Sequence, residues 1–367
     1  MKCALMLPLL SISSGHHHVA DSIKVELEQD GEYRCIKEEL LSNTFGLGER
    51  FISNFYLRWI QFSPKSYTAI YKFTAQKPVG KDVRYTLFEA MFLTTLQKII
   101  EKYKPSVIIC THALPSYLLG IMKKRGELSI PVVNVYTDYY INNIWGRQFI
   151  DIHFVPDQVF KHSLTKRGVP SSQIYVQGIP THRTIRSSSF RGHTRKEKYH
   201  VLISGGNLGT GDLYRFIRQL NPGGRIHYQV LCGKNKGLYE RLTRQRIPAI
   251  EPLPYIHSRE QMDQLYNESD AIVTKPGGVT VAECLQKRLP IFVYDYLPGQ
   301  EKYNLDHLSG QKLVNPLLQW DDIEKKLLLL LDNEHVYSTA QSHIENYHNR
   351  MDSKSINEGF KQVLQGL

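Results

Sequence analysis

Three short stretches in the second half of the chain carry residue types suited to a ligand rich in phosphate and hydroxyl groups. The first, "LISGGNLGTGD", is an apolar run ending in Gly205, Gly206, Gly209 and Gly211. Glycines let a backbone approach phosphate oxygens closely, and free N–H groups at the start of a following helix bind their charge. The order is not the G-x-G-x-x-G of a dinucleotide fold, and no acidic ribose partner follows a second strand. The second, "IVTKPGGVTVAE", repeats the device: Gly277 and Gly278 turn the chain, Thr280 adds a hydroxyl at a predicted helix start, and Glu283 is expected in that helix's first turn. A carboxylate there can accept both hydroxyls of a ribose while the loop amides meet a diphosphate; an acid complementing the helix dipole is the plainer reading. The third, "YLPGQEKYN", puts Gln300 and Glu301 after another apolar run, adjacent donors and acceptors of the kind a sugar's hydroxyls need. Together the three imply a nucleotide sugar, with diphosphate between the glycine turns, ribose on Glu283 and hexose on Gln300 and Glu301.

Such loops work when strands deliver them to one edge of a sheet. Short apolar runs alternating with amphipathic segments predict the α/β class, with parallel strands and crossover helices. Strands are expected at Ala4 to Leu10, Ser106 to Cys110, Val132 to Tyr136 and Asp151 to Val155, with helices over Thr86 to Tyr103 and Ser116 to Arg125. The rhythm restarts at Tyr199 with "HVLISGG", "IHYQVLCG", "DAIVTKPGG" and "LPIFVYDY". Between the halves, Gly178 to His200 is polar and basic and reads as a linker. The expected organisation is a first domain over residues 1–185, a second over 198–335, and polar helices over 336–367 that pack back toward the first. Two doubly wound domains side by side put the carboxyl ends of both sheets on a shared cleft.

Length and composition agree. A chain of 367 residues suits two α/β cores. Its five cysteines form no C-x-x-C pair, which implies a reduced, cytoplasmic protein without a disulfide framework or zinc knuckle. No apolar run approaches the roughly 20 residues of a spanning helix. The first 23 residues mimic a secretory signal, but Pro8 interrupts a short apolar stretch and a buried first strand explains it better. The formal charge of +11 implies an anionic partner, nucleic acid or acidic lipid. Arg50, Arg58 and Lys65 are interleaved with Phe51, Phe55, Tyr56, Trp59 and Phe62, and aromatic bodies beside cationic heads suit a membrane interface. An ordinary solvated surface over core aromatics is the alternative.

The order and wording of these loops resemble glycosyltransferase family 28, in its branch of monogalactosyldiacylglycerol synthases and processive diacylglycerol glucosyltransferases. The likeness covers nearly the whole chain, is most specific from Val230 to Asn304, and continues in "SGHHHVA", "VVNVYTDYYINNIW" and "VQGIP". It implies a GT-B fold of two Rossmann-like domains and an inverting transferase with a UDP-sugar donor. It also implies that the backbone around Tyr255 and Ile256 receives the base. The family's glycine-rich G-H motif falls on Ser13, Ser14, Gly15 and His16, which gives His16 the role of general base; histidine, titrating near neutral pH, suits that role. The T-D motif falls on Thr137 and Asp138, and Asp138 is open to three readings: orienting His16, acting as base, or holding the acceptor's glycerol. A helix cap is the plain alternative. Asn142 and Asn143 stand where family members commonly carry a histidine before the tryptophan matched by Trp145.

The expected reaction moves a hexose from a UDP-sugar to a membrane lipid hydroxyl, most simply diacylglycerol, on the inner face of the cell membrane. Gly15, Arg50, Phe55, Trp59 and Trp145 are expected on the acceptor and membrane side. No cofactor or metal is expected, since no D-x-D pair occurs and the adjacent His16, His17 and His18 diverge too far to share an ion. The rivals are a transferase with an isoprenoid-linked or soluble acceptor, a UDP-sugar epimerase of the same fold, and a nucleic-acid-binding protein. The last leaves the three loops unexplained.

Overall fold

The apolar runs fold as two six-stranded sheets in which every ladder is parallel. The structure is a computed structural model, and it describes residues 1–9, 14–29, 31–45, 84–206, 212–352 and 362–366. One compact unit comprises Met1–His182 with Arg350–Leu367, and the other Arg183–Asn349.

In the first unit the strands are β1 (Lys2–Leu7), β2 (Tyr33–Lys37), β3 (Val107–Cys110), β4 (Val132–Val135), β5 (Ile152–Val155) and β6 (Ile174–Val176). Their spatial order is β2-β1-β3-β4-β5-β6. The helices are α1 (Gly15–Glu28), α2 (Leu40–Phe45), α3 (Thr86–Tyr103), α4 (Ala113–Lys124) and α5 (Gln158–Lys166). Every residue of β3, β4 and β5 is buried, as strands covered by helices on both faces require. Register pairs Leu5 with Ile108 and Ile109 with Val133. The chain leaves β1 toward β2 and leaves β3 toward β4, in opposite directions. The loops after β1 and β3 therefore flank a topological switch point, where open α/β sheets bind ligands.

The second unit is again a six-stranded parallel sheet, with β7 (Tyr199–Ser204), β8 (Ile226–Leu231), β9 (Ile250–Leu253), β10 (Ala271–Thr274), β11 (Ile291–Val293) and β12 (Asn315–Pro316) in the different order β12-β11-β10-β7-β8-β9. Its helices are α6 (Leu213–Gln219), α7 (Lys236–Gln245), α8 (Arg259–Glu268), α9 (Gly278–Gln286), α10 (Gln300–Gly310), α11 (Ile323–Leu331) and α12 (Glu334–Asn349). Here the switch point lies between β7 and β10, which pair directly through Ile272 and Leu202.

The boundary between the units, His182 to Arg183, falls inside the segment expected to be a linker. From Arg183 onward the segment is fastened to the second unit, because its polar groups meet a side chain and C-terminal carbonyls of that unit's helices. Arg186 N–H donates to Asp263, Ser188 N–H to the Gln286 carbonyl, and the Arg191 guanidinium to the carbonyls of Ser269 and Tyr266. The final segment is likewise divided: α12 belongs to the second unit and Arg350–Leu367 to the first, where the Asp352 carboxylate accepts from Val176 N–H at 2.7 Å. Strands β2, β6, β9 and β12 escape the sequence pattern. They are the four edge strands of the two sheets, short or partly polar, so their sequences lack a full apolar run. All five cysteines are free. Among the described residues no helix is long and apolar enough to cross a membrane.

Candidate active site

In the first unit, His16 opens α1 directly after the β1 loop, behind Ser14 and Gly15. Its Nδ1 lies 2.7 Å from the Thr111 carbonyl at the end of β3. A carbonyl only accepts, so Nδ1 carries the hydrogen, and in the neutral ring Nε2 keeps its lone pair. The Thr137 hydroxyl lies 2.9 Å from the same Nδ1 and donates to Asp138 Oδ2 at 3.2 Å. Asp138 thus reaches His16 through Thr137. His17 turns the other way, buried 3.4 Å from Glu39, with burial pushing its basicity down. Next to His16 stands His112, their rings 4.8 Å apart edge to face.

The loop after β4 is braced from behind. The buried Asn134 amide donates to the Gly146 carbonyl at 2.9 Å, and the Tyr136 hydroxyl meets His153 Nδ1 at 3.0 Å. His153 donates from Nε2 to the Arg147 carbonyl, and burial holds it neutral, with its pKa down at about 4. Asn142 and Asn143 are structural: Asn142 accepts from Ile144 N–H, and Asn143 from Arg147 and Arg167. Trp145, expected against acceptor or membrane, is only 6% exposed and packs on Tyr136 at 4.5 Å. An indole this buried is a core residue, and that expectation is corrected. Arg50, Phe55 and Trp59 lie outside the described residues.

In the second unit, the turns after β7 and β10 flank the switch point. Gly206 has φ +78°, which favours glycine, and its N–H donates to Ser204 Oγ at 3.3 Å; Gly205 is buried and Gly209 lies outside the described residues. Gly277 caps α9 at an ordinary φ of −77°, and a Cβ added there meets nothing within 4 Å. Neither conformation nor packing demands glycine at this position, and the open space leaves its backbone accessible to close approach. No side chain caps α9, and no acid stands in its first turn, so the positive end with Gly278 and Thr280 is unneutralised.

Glu283 is the sixth residue of α9 and not in its first turn, because the helix begins at Gly278. It is 6% exposed, accepts from the Tyr266 hydroxyl at 2.8 Å and faces Arg259 at 3.5 Å, and burial raises its pKa. Each oxygen retains a second lone pair for a ligand. Tyr255 and Ile256 are half-buried in the loop between β9 and α8. Gln300 begins α10 after Gly299, whose φ of 104° suits only glycine. Glu301 accepts from Leu297 N–H at 2.5 Å and so braces its own loop.

Three residues here went unassigned in the sequence. Lys275, its side chain 8% exposed, pairs with Asp295 at 3.2 Å and brings a buried cation to the glycine turn. Asn304 donates to the Pro276 carbonyl at 3.0 Å, tying α10 to that turn. His112 was hidden because it matters through its neighbours, β3 and α1, which are far off in sequence. The lysine before Pro-Gly-Gly was a readable signal.

A family profile described as monogalactosyldiacylglycerol (MGDG) synthase matches residues 16–181. The chain is 39% identical over 366 residues to an uncharacterized glycosyltransferase, YkoN, of Bacillus subtilis strain 168, covering 99% of this chain and 98% of that protein. It is 23% identical over 364 residues to a processive diacylglycerol beta-glucosyltransferase of Bacillus pumilus strain SAFR-032, covering 96% and 93%. Among solved structures, MurG of Acinetobacter baumannii matches with a TM-score of 0.63 at 14% identity over 100% of both chains, a likeness of fold. With two parallel switch-point sheets, full-length relatives and a GT-B neighbour all in agreement, the chain belongs to glycosyltransferase family 28, in the branch of the monogalactosyldiacylglycerol synthases and processive diacylglycerol glucosyltransferases.

Proposed function

We propose that the protein is an inverting hexosyltransferase that moves a sugar from a UDP-sugar to the hydroxyl of a membrane lipid, diacylglycerol in the simplest case. The observation that carries this reading is the pair of glycine turns on the directly paired strands β7 and β10. One of them has an uncapped helix start and open space where a side chain would be. Backbone amides and the Lys275 ammonium suit a diphosphate, Glu283 suits ribose hydroxyls, and Gln300 suits the hexose. The loop at Tyr255 and Ile256 suits the base. The names of the diacylglycerol glucosyltransferases support the lipid acceptor.

In the proposed step, the acceptor O–H gives its proton to His16 Nε2 and its oxygen bonds to the anomeric carbon. The bond from that carbon to the phosphate oxygen breaks, its electron pair leaving on UDP. Charge grows on the departing diphosphate, so fixed dipoles there act most strongly in the transition state. No metal is assigned to this step. The enzyme is proposed to act peripherally on the cytoplasmic leaflet, an assignment that rests on the basic aromatic sequence near Arg50 to Phe62 and on the relatives.

Incubation with labelled UDP-glucose, UDP-galactose or UDP-N-acetylglucosamine and a membrane lipid extract, with mass analysis of the product, tests the reading. A glycosyldiacylglycerol is expected, and addition of EDTA is expected to leave the rate unchanged. Failure to bind UDP at all, or release of a free sugar with no lipid product, overturns it. Flotation with liposomes checks the membrane assignment, which predicts stronger association with anionic than with neutral vesicles at low salt.

A further inference from the structure

The two adjacent histidines of the first unit are held in opposite tautomers by the backbone. His16 Nδ1 faces the Thr111 carbonyl and must be the N–H, so its Nε2 is an acceptor. His112 is the N-cap of α4, where its Nδ1 accepts from Leu114 N–H at 3.2 Å. An amide nitrogen only donates, so in neutral His112 the hydrogen sits on Nε2. Burial, with the charge of His16 second, pushes the pKa of His112 well down and keeps it neutral. Two imidazoles 4.8 Å apart thus offer unlike atoms, one a lone pair and the other an N–H. Among the described residues no protein acceptor meets that N–H.

We propose that His112 is a positioning residue of the acceptor site: its Nε2–H donates to the acceptor oxygen and holds it toward the lone pair of His16 Nε2. This rests on the reading of His16 as base. His112 exchanges no proton. A donor on the acceptor oxygen orients its own O–H hydrogen outward, toward His16, and a neutral donor does so without quenching the base as a cation would.

The geometry separates the cap from the donor. His112→Asn places an amide oxygen where Nδ1 was, keeping the cap and losing the distal donor. His112→Gln carries an N–H₂ out to the Nε2 position and loses the cap. In UDP-glucose transfer to diacylglycerol in mixed micelles, the Asn variant is expected to lose roughly 10- to 100-fold in kcat/KM for the lipid. It should retain the wild-type Tm and UDP affinity. The Gln variant is expected to melt lower yet keep most of the transfer. The reverse pattern, with Asn active and Gln inactive, makes His112 only a helix cap and overturns the proposal. Long-range 1H–15N spectra of 15N-histidine protein, assigned with these variants and His16→Gln, give a readout that needs no substrate. The expected signals are Nδ1–H for His16 and Nε2–H for His112 at pH 7. A charged or Nδ1–H His112 also overturns the proposal. Loss of UDP binding in the wild-type protein would instead sink the proposed function and leave the tautomer result standing.

Discussion

The switch points of the two units each lie beside the unit's first strand, in sheets of different strand order, and are built from opposite materials. That between β1 and β3 is built of side chains: His16, linked through Thr137 to Asp138, and His112 beside it, the two rings held by one carbonyl and one amide. That between β7 and β10 is mostly backbone, with glycine turns, an uncapped helix start and one buried ion pair behind it. Under the proposed function, the difference teaches what each task needs. Moving a proton requires a titrating ring with a fixed tautomer, and only long-range contacts fix it. Holding a diphosphate requires oriented dipoles that do not change during reaction, which short backbone turns supply.

The sharpest break in this comparison is His16→Gln. It is expected to lower transfer by about 10²- to 10⁴-fold while leaving UDP affinity unchanged, read from kcat and from calorimetric titration with UDP. A comparable loss of UDP affinity would mean that the units do not divide the labour.

Acid treats the two units alike. His153 in the first and His348 in the second are each buried and donate to a carbonyl, with pKa values down at about 4. Unfolded, each binds a proton near pH 6.5, so stability is full above that pH and falls as the pH drops from 6.5 toward 4. The loss reaches about 3 kcal/mol for each residue. Thermal unfolding from pH 7.5 to 4 should show the slope, and His153→Gln and His348→Gln should each flatten part of it.

A smaller, more selective test is Gly277→Asp. Aspartate is a good N-cap and nothing in the chain crowds the new Cβ, so the melting temperature should hold or rise. UDP affinity should fall at least about tenfold, because a carboxylate then stands where the diphosphate is proposed. Unchanged affinity would mean that no diphosphate sits at this glycine.

The mildest effect is expected at Thr137. Thr137→Val cuts the link from Asp138 to His16 and should lower kcat by roughly tenfold, the worth of about one hydrogen bond, with KM little changed. Thr137→Ser should restore it. If Val and Ser behave alike, Asp138 acts on the site by another route.

The parallel architecture was legible because strands covered on both faces read as unbroken apolar runs, as in "VIIC" and "AIVT". The glycine turns were legible too, since each lies within a few residues of one strand end. Their partners were less so: Asn304 stands 28 positions from the Pro276 carbonyl it holds, and Lys275 gave a local signal whose burial was invisible. The boundary was legible but the attachment of the segment beyond Arg183 was not, because polar, basic sequence describes equally a solvated tether and a strap whose donors meet helix-end carbonyls.

By itself the sequence determined the class, the rhythm of strand and helix, and the residue types at each turn, because these follow from local periodicity and local chemistry. The tertiary structure alone decided which nitrogen of His16 carries the hydrogen in the neutral ring, that Asp138 connects to His16 through Thr137, that Trp145 is core and that the carboxylate of Glu283 is already engaged. Each of these depends on a neighbour from a distant strand or helix, and burial and hydrogen-bond partners exist only once the chain has brought them together.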